Sequence, residues 1–63
     1  MPYRVTLEFG LQIQTKFYPA VSEARRAADK LAAFYAAKFG QATATVLSEA
    51  GEELYIRVRN SPR

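Results

Sequence analysis

The side chains best suited to binding chemistry lie in one segment near the end of the chain. In ELYIRVRN, residues 53–60, Tyr55, Arg57 and Arg59 alternate with three aliphatic residues. Guanidinium groups bind phosphate oxygens, and a tyrosine ring can stack on a nucleobase. A strand formed by this segment would therefore have one apolar face and one basic face, and the basic face would suit a nucleic acid.

The residues needed for catalysis are largely missing. The chain has no His and no Cys, so it lacks the commonest general base, the thiol nucleophile and the usual zinc ligands. Glu49, Glu52 and Glu53 cluster, but they flank a predicted turn, and a Mg²⁺ or Ca²⁺ site there would need further oxygen ligands. The three glycines are far apart and form no phosphate-binding loop. We expect a non-enzymatic protein without metal, cofactor or small-molecule substrate.

The elements that carry these side chains begin with a stretch of period two over residues 3–17. It is either one long strand or a hairpin turning at residues 9–11, where Gly10 supplies the backbone freedom of a tight turn. A three-residue loop pairs Leu7 with Ile13 and collects the apolar residues on one face. A two-residue loop would mix apolar and polar residues, because a shift of one residue moves every side chain to the other face. The pattern therefore favours the three-residue loop.

A helix follows over AVSEARRAADKLAAFYAAKFG, residues 20–40. Ser22 is a candidate N-cap, Glu23 suits the positive end of the helix dipole, and Gly40 can end the helix. Apolar residues recur at helical spacing and predict a single buried stripe. The stripe consists of Val21, Ala24, Ala28, Leu31, Tyr35 and Phe39, flanked by Ala27 and Phe34.

The last third of the chain returns to period two. A loop over residues 49–51, with Gly51 in a left-handed conformation, predicts a second hairpin. This loop pairs Val46 with Leu54 on the core side and Thr43 with Arg57 on the other side. The basic face of the last strand would then point into solvent.

Together these elements predict an α+β fold with the order strand-strand-helix-strand-strand, one helix packed on a four-stranded antiparallel sheet. Residues 1–60 form the single domain and residues 61–63 a loose C-terminal tail. We expect the strand order 2-1-3-4, although 1-2-4-3 also keeps every neighbour antiparallel. The predicted core is Val5, Leu7, Ile13, Phe17, Ala24, Ala28, Leu31, Tyr35, Phe39, Val46, Leu54, Ile56 and Val58.

Two surfaces are candidates for function. The first is the solvent face of the sheet, where a nucleic acid or nucleoprotein would meet Arg4, Lys16, Tyr55, Arg57 and Arg59. The alternative is a protein-binding inhibitor or adaptor, or a homodimer, that uses a free sheet edge or the smooth helix surface. That helix surface comprises Arg26, Lys30, Ala33, Phe34, Ala36 and Ala37. A pair of Arg25 and Asp29, four residues apart on the helix, is expected to be a surface ion pair.

The size and charge of the chain limit how it can be stabilised, but they do not select one class of binding partner. A 63-residue chain without Cys or His has neither disulfides nor zinc to stabilise it, which leaves a well-packed core, oligomerisation or both. The net charge of +3 permits nucleic acid, anionic membranes or acidic proteins. The chain starts without a signal-peptide pattern and has no apolar run near 20 residues, so we expect a cytoplasmic protein that does not bind membranes.

In the order of its elements, two hairpins around one helix, the chain resembles several very small phage-encoded proteins that disable host machinery. Some anti-CRISPR proteins have this plan. The resemblance implies a compact, cofactor-free domain that acts by binding, and it assigns a role to no particular residue.

Overall fold

The computed structural model describes residues 3–60 and confirms the predicted α+β fold. Four antiparallel strands form one sheet, and a single helix packs on one of its faces. The elements are β1 (Tyr3–Phe9), β2 (Gln12–Tyr18), α1 (Val21–Phe39), β3 (Gln41–Leu47) and β4 (Glu53–Asn60). The predicted loose tail at residues 61–63 lies outside the described residues.

The strands are arranged in the order β2-β1-β3-β4, as expected, and not in the alternative order 1-2-4-3. Residues 3–17 form a hairpin rather than one long strand. β1 and β3 are the central strands and pair with each other, so that β2 and β4 are the two edges of the sheet.

The helix ends as predicted but begins differently. Gly40 has a φ of 94°, and its N–H donates to the carbonyl oxygen of Ala36 at 2.8 Å, which closes the last turn. The N-cap residue is Ala20, and no side chain caps the helix, so the prediction that Ser22 is the cap is wrong. Glu23 does lie in the first turn, where it favours the helix dipole.

The buried face of the helix is a row of alanines spaced four residues apart: Ala24, Ala28, Ala32 and Ala36. The predicted stripe contained the first two of these but placed Leu31, Tyr35 and Phe39 at its centre. Leu31 and Tyr35 are only half-buried, and Phe39 is exposed. Because alanine side chains are short, the helix backbone lies close to the sheet.

The core is consequently small. It comprises Val5, Leu7, Phe9, Ala24, Ala28, Ala32, Ala36, Ala42, Ala44 and Val46. Leu7, Val5 and Val46 are its largest fully buried side chains. Five other residues of the predicted core are exposed instead: Ile13, Phe17, Leu54, Ile56 and Val58.

The first hairpin has a two-residue turn, Gly10 and Leu11, not the predicted three-residue loop. Gly10 takes the first turn position with a φ of 57°, which glycine tolerates. Leu7 therefore pairs with Gln14, not Ile13. Every side chain of β2 lies on the face opposite to the predicted one, as the period of two requires.

In the second hairpin, a bulge likewise moves the side chains of the edge strand to the face opposite to the predicted one. Leu47 pairs with Glu53 while Val46 pairs with Tyr55, so Leu54 is an extra residue in β4. Without this bulge, Val46 would pair with Leu54, as predicted. The extra residue brings Tyr55 and Arg57 to the helix side of the sheet and moves Ile56 to the other side.

The width of the helix explains both shifts. A helix is about 10 Å across, whereas four strands about 4.8 Å apart span about 19 Å, so one helix cannot cover the whole sheet. It packs on β3, β1 and β4 and barely contacts β2. The apolar residues of β1 and β3 fill the middle of the sheet. On the helix side, the edge strands instead meet the polar flanks of the helix, and their polar residues lie there.

Candidate binding surfaces

The face of the sheet opposite the helix, called here the open face, carries no element of the described chain. β1 contributes Arg4, Thr6 and Glu8 to it, and β3 contributes Thr43, Thr45 and Leu47. The edge strands contribute Ile13, Thr15 and Phe17 from β2 and Ile56 and Val58 from β4, with Glu53, the partner of Leu47, at the rim. The open face is thus a central floor of three threonines, one leucine and two charged residues between two edges that carry apolar side chains.

The apolar edges of the open face are the largest departure from an ordinary solvated surface. Ile13 is 65% exposed, Phe17 55%, Ile56 51% and Val58 49%. A one-sided antiparallel sheet normally presents alternating polar residues to water. Large apolar side chains exposed together on one face of a soluble protein can mark an interaction site.

The open face carries two charges in the middle of the sheet, Arg4 and Glu8, both on β1. Both side chains are exposed, and within residues 3–60 neither has an ion-pair partner. Four residues of strand separate them, about 13 Å along β1. Any partner that covers this face must therefore accommodate one cation and one anion at its centre.

The helix side of the sheet has a polar cluster that links β4 to the helix. The Nε of Arg57 and the hydroxyl of Tyr55 both donate to Oδ1 of Asp29, each at 2.7 Å. The guanidinium of Arg25 lies over the Tyr55 ring, 4.9 Å from its centroid. Asp29 thus forms its ion pair with Arg57, and the predicted pair with Arg25 is wrong.

The contacts in this cluster shift the pKa values of Asp29, Tyr55 and Arg57. The hydrogen bonds from Arg57 and then Tyr55 lower the pKa of Asp29 below its usual value of 3.8. The same hydrogen bond from Tyr55 to Asp29 raises the pKa of the phenol, and Asp29 also raises the pKa of Arg57. Arg57 and Tyr55 therefore stay protonated while Asp29 stays ionised at neutral pH.

The predicted nucleic-acid site does not form one surface on the open face. Arg4 lies there as predicted, but Lys16, Tyr55, Arg57 and Arg59 lie on the helix side because both edge strands have the other register. Lys16 is on β2 and the arginines are on β4, so they flank the helix on opposite sides. The Tyr55 ring, packed under Arg25, is not presented on the open face for stacking.

The predicted partner surface on the helix is partly retained. Arg26, Lys30, Phe34 and Ala37 are exposed, and Ala33 is half-buried. Ala36 is buried, with 3% exposure, because it belongs to the alanine row that packs on the sheet. The prediction that Ala36 is available to a partner is therefore wrong, and the remaining residues form a basic rather than a smooth surface.

An aromatic cluster closes one end of the core. The rings of Phe9 and Tyr35 are stacked with centroids 4.2 Å apart, and Phe39 packs on Phe9 at 5.0 Å. The Tyr35 hydroxyl donates to Gln14 of β2 at 3.3 Å. The cluster helps to hold the helix over the first hairpin, and its centre is Phe9, a residue predicted to lie in the turn.

Other kinds of site find little support among the residues that the structure describes. No group of three or more acidic side chains could hold a metal ion there, so Glu49, Glu52 and Glu53 form no metal site. No helix within residues 3–60 is long and apolar enough to cross a bilayer. No protein-family model, curated protein or solved structure matches the chain significantly.

Proposed function

We propose that this chain is a non-enzymatic protein-binding module that packs the open face of its sheet against a protein partner. The observation that carries the proposal is the apolar pair on each edge strand, Ile13 with Phe17 and Ile56 with Val58, left about half exposed by the fold. Covering these side chains would recover roughly 25 cal/mol for each Å² of apolar surface removed from water.

The character of the open face fits a protein partner better than a nucleic acid. Its floor carries three threonines, whose β-branched side chains pack well against neighbouring side chains. Arg4 and Glu8 balance each other, so the face attracts no polyanion as a whole. Phosphate recognition depends instead on an excess of positive charge.

Site-specific photocrosslinking in the cells that express the protein would test this proposal. A photoreactive phenylalanine analogue is placed at position 56 on the open face or, as the matched control, at position 30 on the helix. Both native residues, Ile56 and Lys30, are exposed, so neither substitution disturbs the core. We expect covalent protein adducts from position 56 and none from position 30.

Adducts of discrete mass from position 56 would support the proposal whether the captured protein is another molecule or a second copy. Equal labelling from both positions, or no adduct from position 56, would refute it. The same experiment at position 13, on the opposite edge of the open face, should give the same adducts as position 56.

A second candidate function, binding of a nucleic acid, rests on the distribution of charge. The helix and the helix side of the strands carry seven basic residues and two acidic ones. The basic residues are Lys16, Arg25, Arg26, Lys30, Lys38, Arg57 and Arg59, and the acidic residues are Glu23 and Asp29. Under this proposal, phosphates bind to the helix side, and the open face is left for a protein.

Fluorescence anisotropy of labelled DNA and RNA at low and near-physiological salt tests this second candidate. Replacing Arg26 and Arg59 by Ala should weaken binding. The slope of log K against the logarithm of the salt concentration should become shallower by about 0.9 for each phosphate that the variant no longer neutralises. Arg4→Ala on the open face is the control and should leave binding unchanged. Binding that is absent at low salt would exclude this function.

A further inference from the structure

We infer that the partner that covers the open face is a second copy of this chain, bound face to face about a two-fold axis. The inference rests on the proposed function and names its partner. Its basis is the arrangement of residues on the open face, whose two central charges and most of whose apolar edge residues complement those of an identical face turned by 180°.

The size of the open face suits a small symmetric dimer. Strands of seven residues, at about 3.3 Å per residue and about 4.8 Å between strands, give a face of about 19 by 23 Å. Two such faces bury on the order of 1,000 Å² in total, at the lower end of specific protein interfaces. We therefore expect a dimer that dissociates on dilution.

The thin core gives an independent reason for a second copy. Six of its ten buried residues are alanines, and its largest fully buried side chains are one leucine and two valines. Chains of this size without disulfides or metals commonly gain stability by oligomerisation. A dimer would have four layers in the order helix, sheet, sheet, helix. A second apolar core would then form between the two sheets.

The two central charges select the symmetry. One possible two-fold axis lies in the interface and runs perpendicular to the strands. It places each strand opposite the same strand of the second copy, and the two run in opposite directions. Around a centre at Thr6, this operation brings Arg4 opposite Glu8 of the second copy and Glu8 opposite its Arg4. An axis along the strands would instead place Arg4 opposite Leu47 and Glu8 opposite Thr43, leaving both buried charges unpaired, which is costly.

The same operation pairs three of the four apolar edge residues. Phe17 of one copy comes opposite Ile13 of the other, and Ile56, which lies level with Thr6 and Thr45, comes opposite itself. Val58 comes opposite Glu53 at the rim of the interface. Packed sheets lie about 10 Å apart with strand directions within about 30°. The long side chains of Arg4 and Glu8 can together bridge such a gap near the axis, where the offset caused by the crossing angle is smallest.

The inference is tested by reversing the charges at Arg4 and Glu8 and measuring the mass of each purified protein by sedimentation equilibrium. The wild-type chain should have twice its monomer mass of 7.1 kDa at high concentration. Arg4→Glu and Glu8→Arg each place two like-charged pairs across the axis, and each should weaken dimerisation at least about 100-fold. Both positions are exposed in the monomer, so both variants should keep the far-ultraviolet circular dichroism of the folded chain.

Mixing the two single variants is the decisive step. In the mixed dimer, the carboxylate introduced at position 4 of one copy faces the guanidinium introduced at position 8 of the other. The second pair across the axis is the native one, Glu8 with Arg4. The mixture should therefore dimerise about as tightly as the wild type, and so should a chain that carries both substitutions.

Three results would overturn the inference. The first is a wild-type chain that stays at monomer mass up to millimolar concentration. The second is a pair of single variants that dimerise like the wild type, and the third is a mixture of them that stays monomeric.

The same data separate this inference from the proposed function. A monomeric wild type whose position 56 still forms adducts with another protein in cells would refute the second copy and leave the protein-binding role standing. A monomeric wild type without adducts would refute both.

Discussion

Replacing Leu7 by Ala should destabilise the domain severely, whereas the same change at Leu11 should have almost no effect. Leu7 is fully buried between the helix and the sheet, at 0% exposure, and Leu11 is 104% exposed in the first turn. Leucine-to-alanine changes in a packed core cost about 2–5 kcal/mol, from reduced burial and the cavity left behind. The total stability of a 63-residue domain is about 3–9 kcal/mol. Leu7→Ala should therefore remove a large part of it.

Urea unfolding followed by circular dichroism measures the difference. All three proteins should be compared at one concentration, because a dimer gains stability by mass action. We expect the midpoint of Leu11→Ala to match the wild type and Leu7→Ala to be largely unfolded without urea or to unfold far earlier. A loss of stability below about 1 kcal/mol for Leu7→Ala would refute the small, tightly packed core described above.

Three further predictions follow from single residues. In urea unfolding, Ala32→Leu should cost about 1–3 kcal/mol by forcing the helix away from the sheet, while Ala37→Leu on the exposed helix face should be nearly neutral. Gly10→Ala should cost about 1–2 kcal/mol in urea unfolding because of its positive φ. Asp29→Asn should lower stability at neutral pH, and its deficit against the wild type should vanish as acid titration passes below pH 3.8. The sign follows because a lowered pKa in the folded state gives stability that is present above the unfolded value and is lost as the pH falls through the folded one.

The sequence predicts the elements of this fold well because each has its own local signal. The periods of two and 3.6, and the glycines near each turn, place all four strands and the helix. The antiparallel rule and short connections favour an order of strands that the structure confirms. These features depend on neighbours within a few residues, which a single sequence displays directly.

The faces of the edge strands could not be read in the same way. The prediction assumed that all apolar residues of a one-helix sandwich share the core, and this is false here, because the helix barely contacts β2 and meets β4 through polar side chains. A single residue decides the matter in β4, where the bulge at Leu54 sends Ile56 to the open face. Nothing local marks Leu54 as a bulge, since ELYIRVRN alternates without interruption.

One signal for the true arrangement was present in the helix. Alanines at 24, 28, 32 and 36 form a ridge four residues apart, and a ridge of this kind is narrow. A narrow ridge buries few apolar residues of the sheet, so apolar residues in excess of that number must lie elsewhere. The hydrogen bonds from Tyr55 and Arg57 to Asp29 then hold the polar side of β4 beside the helix. Long-range pairs such as these leave no trace in spacing along the chain.

The most direct test of the open face as a dimer interface is methyl NMR of the purified protein with a soluble paramagnetic probe, recorded at high and low concentration. We expect the methyl groups of Ile13, Ile56 and Val58 to be protected from the probe at high concentration and to become accessible on dilution. Val5 should be protected at both concentrations and Leu11 at neither, which calibrates the two limits within one sample. Open-face methyl groups as accessible as those of Leu11 at every concentration would contradict the dimer and leave the open face as bare apolar surface in the isolated chain.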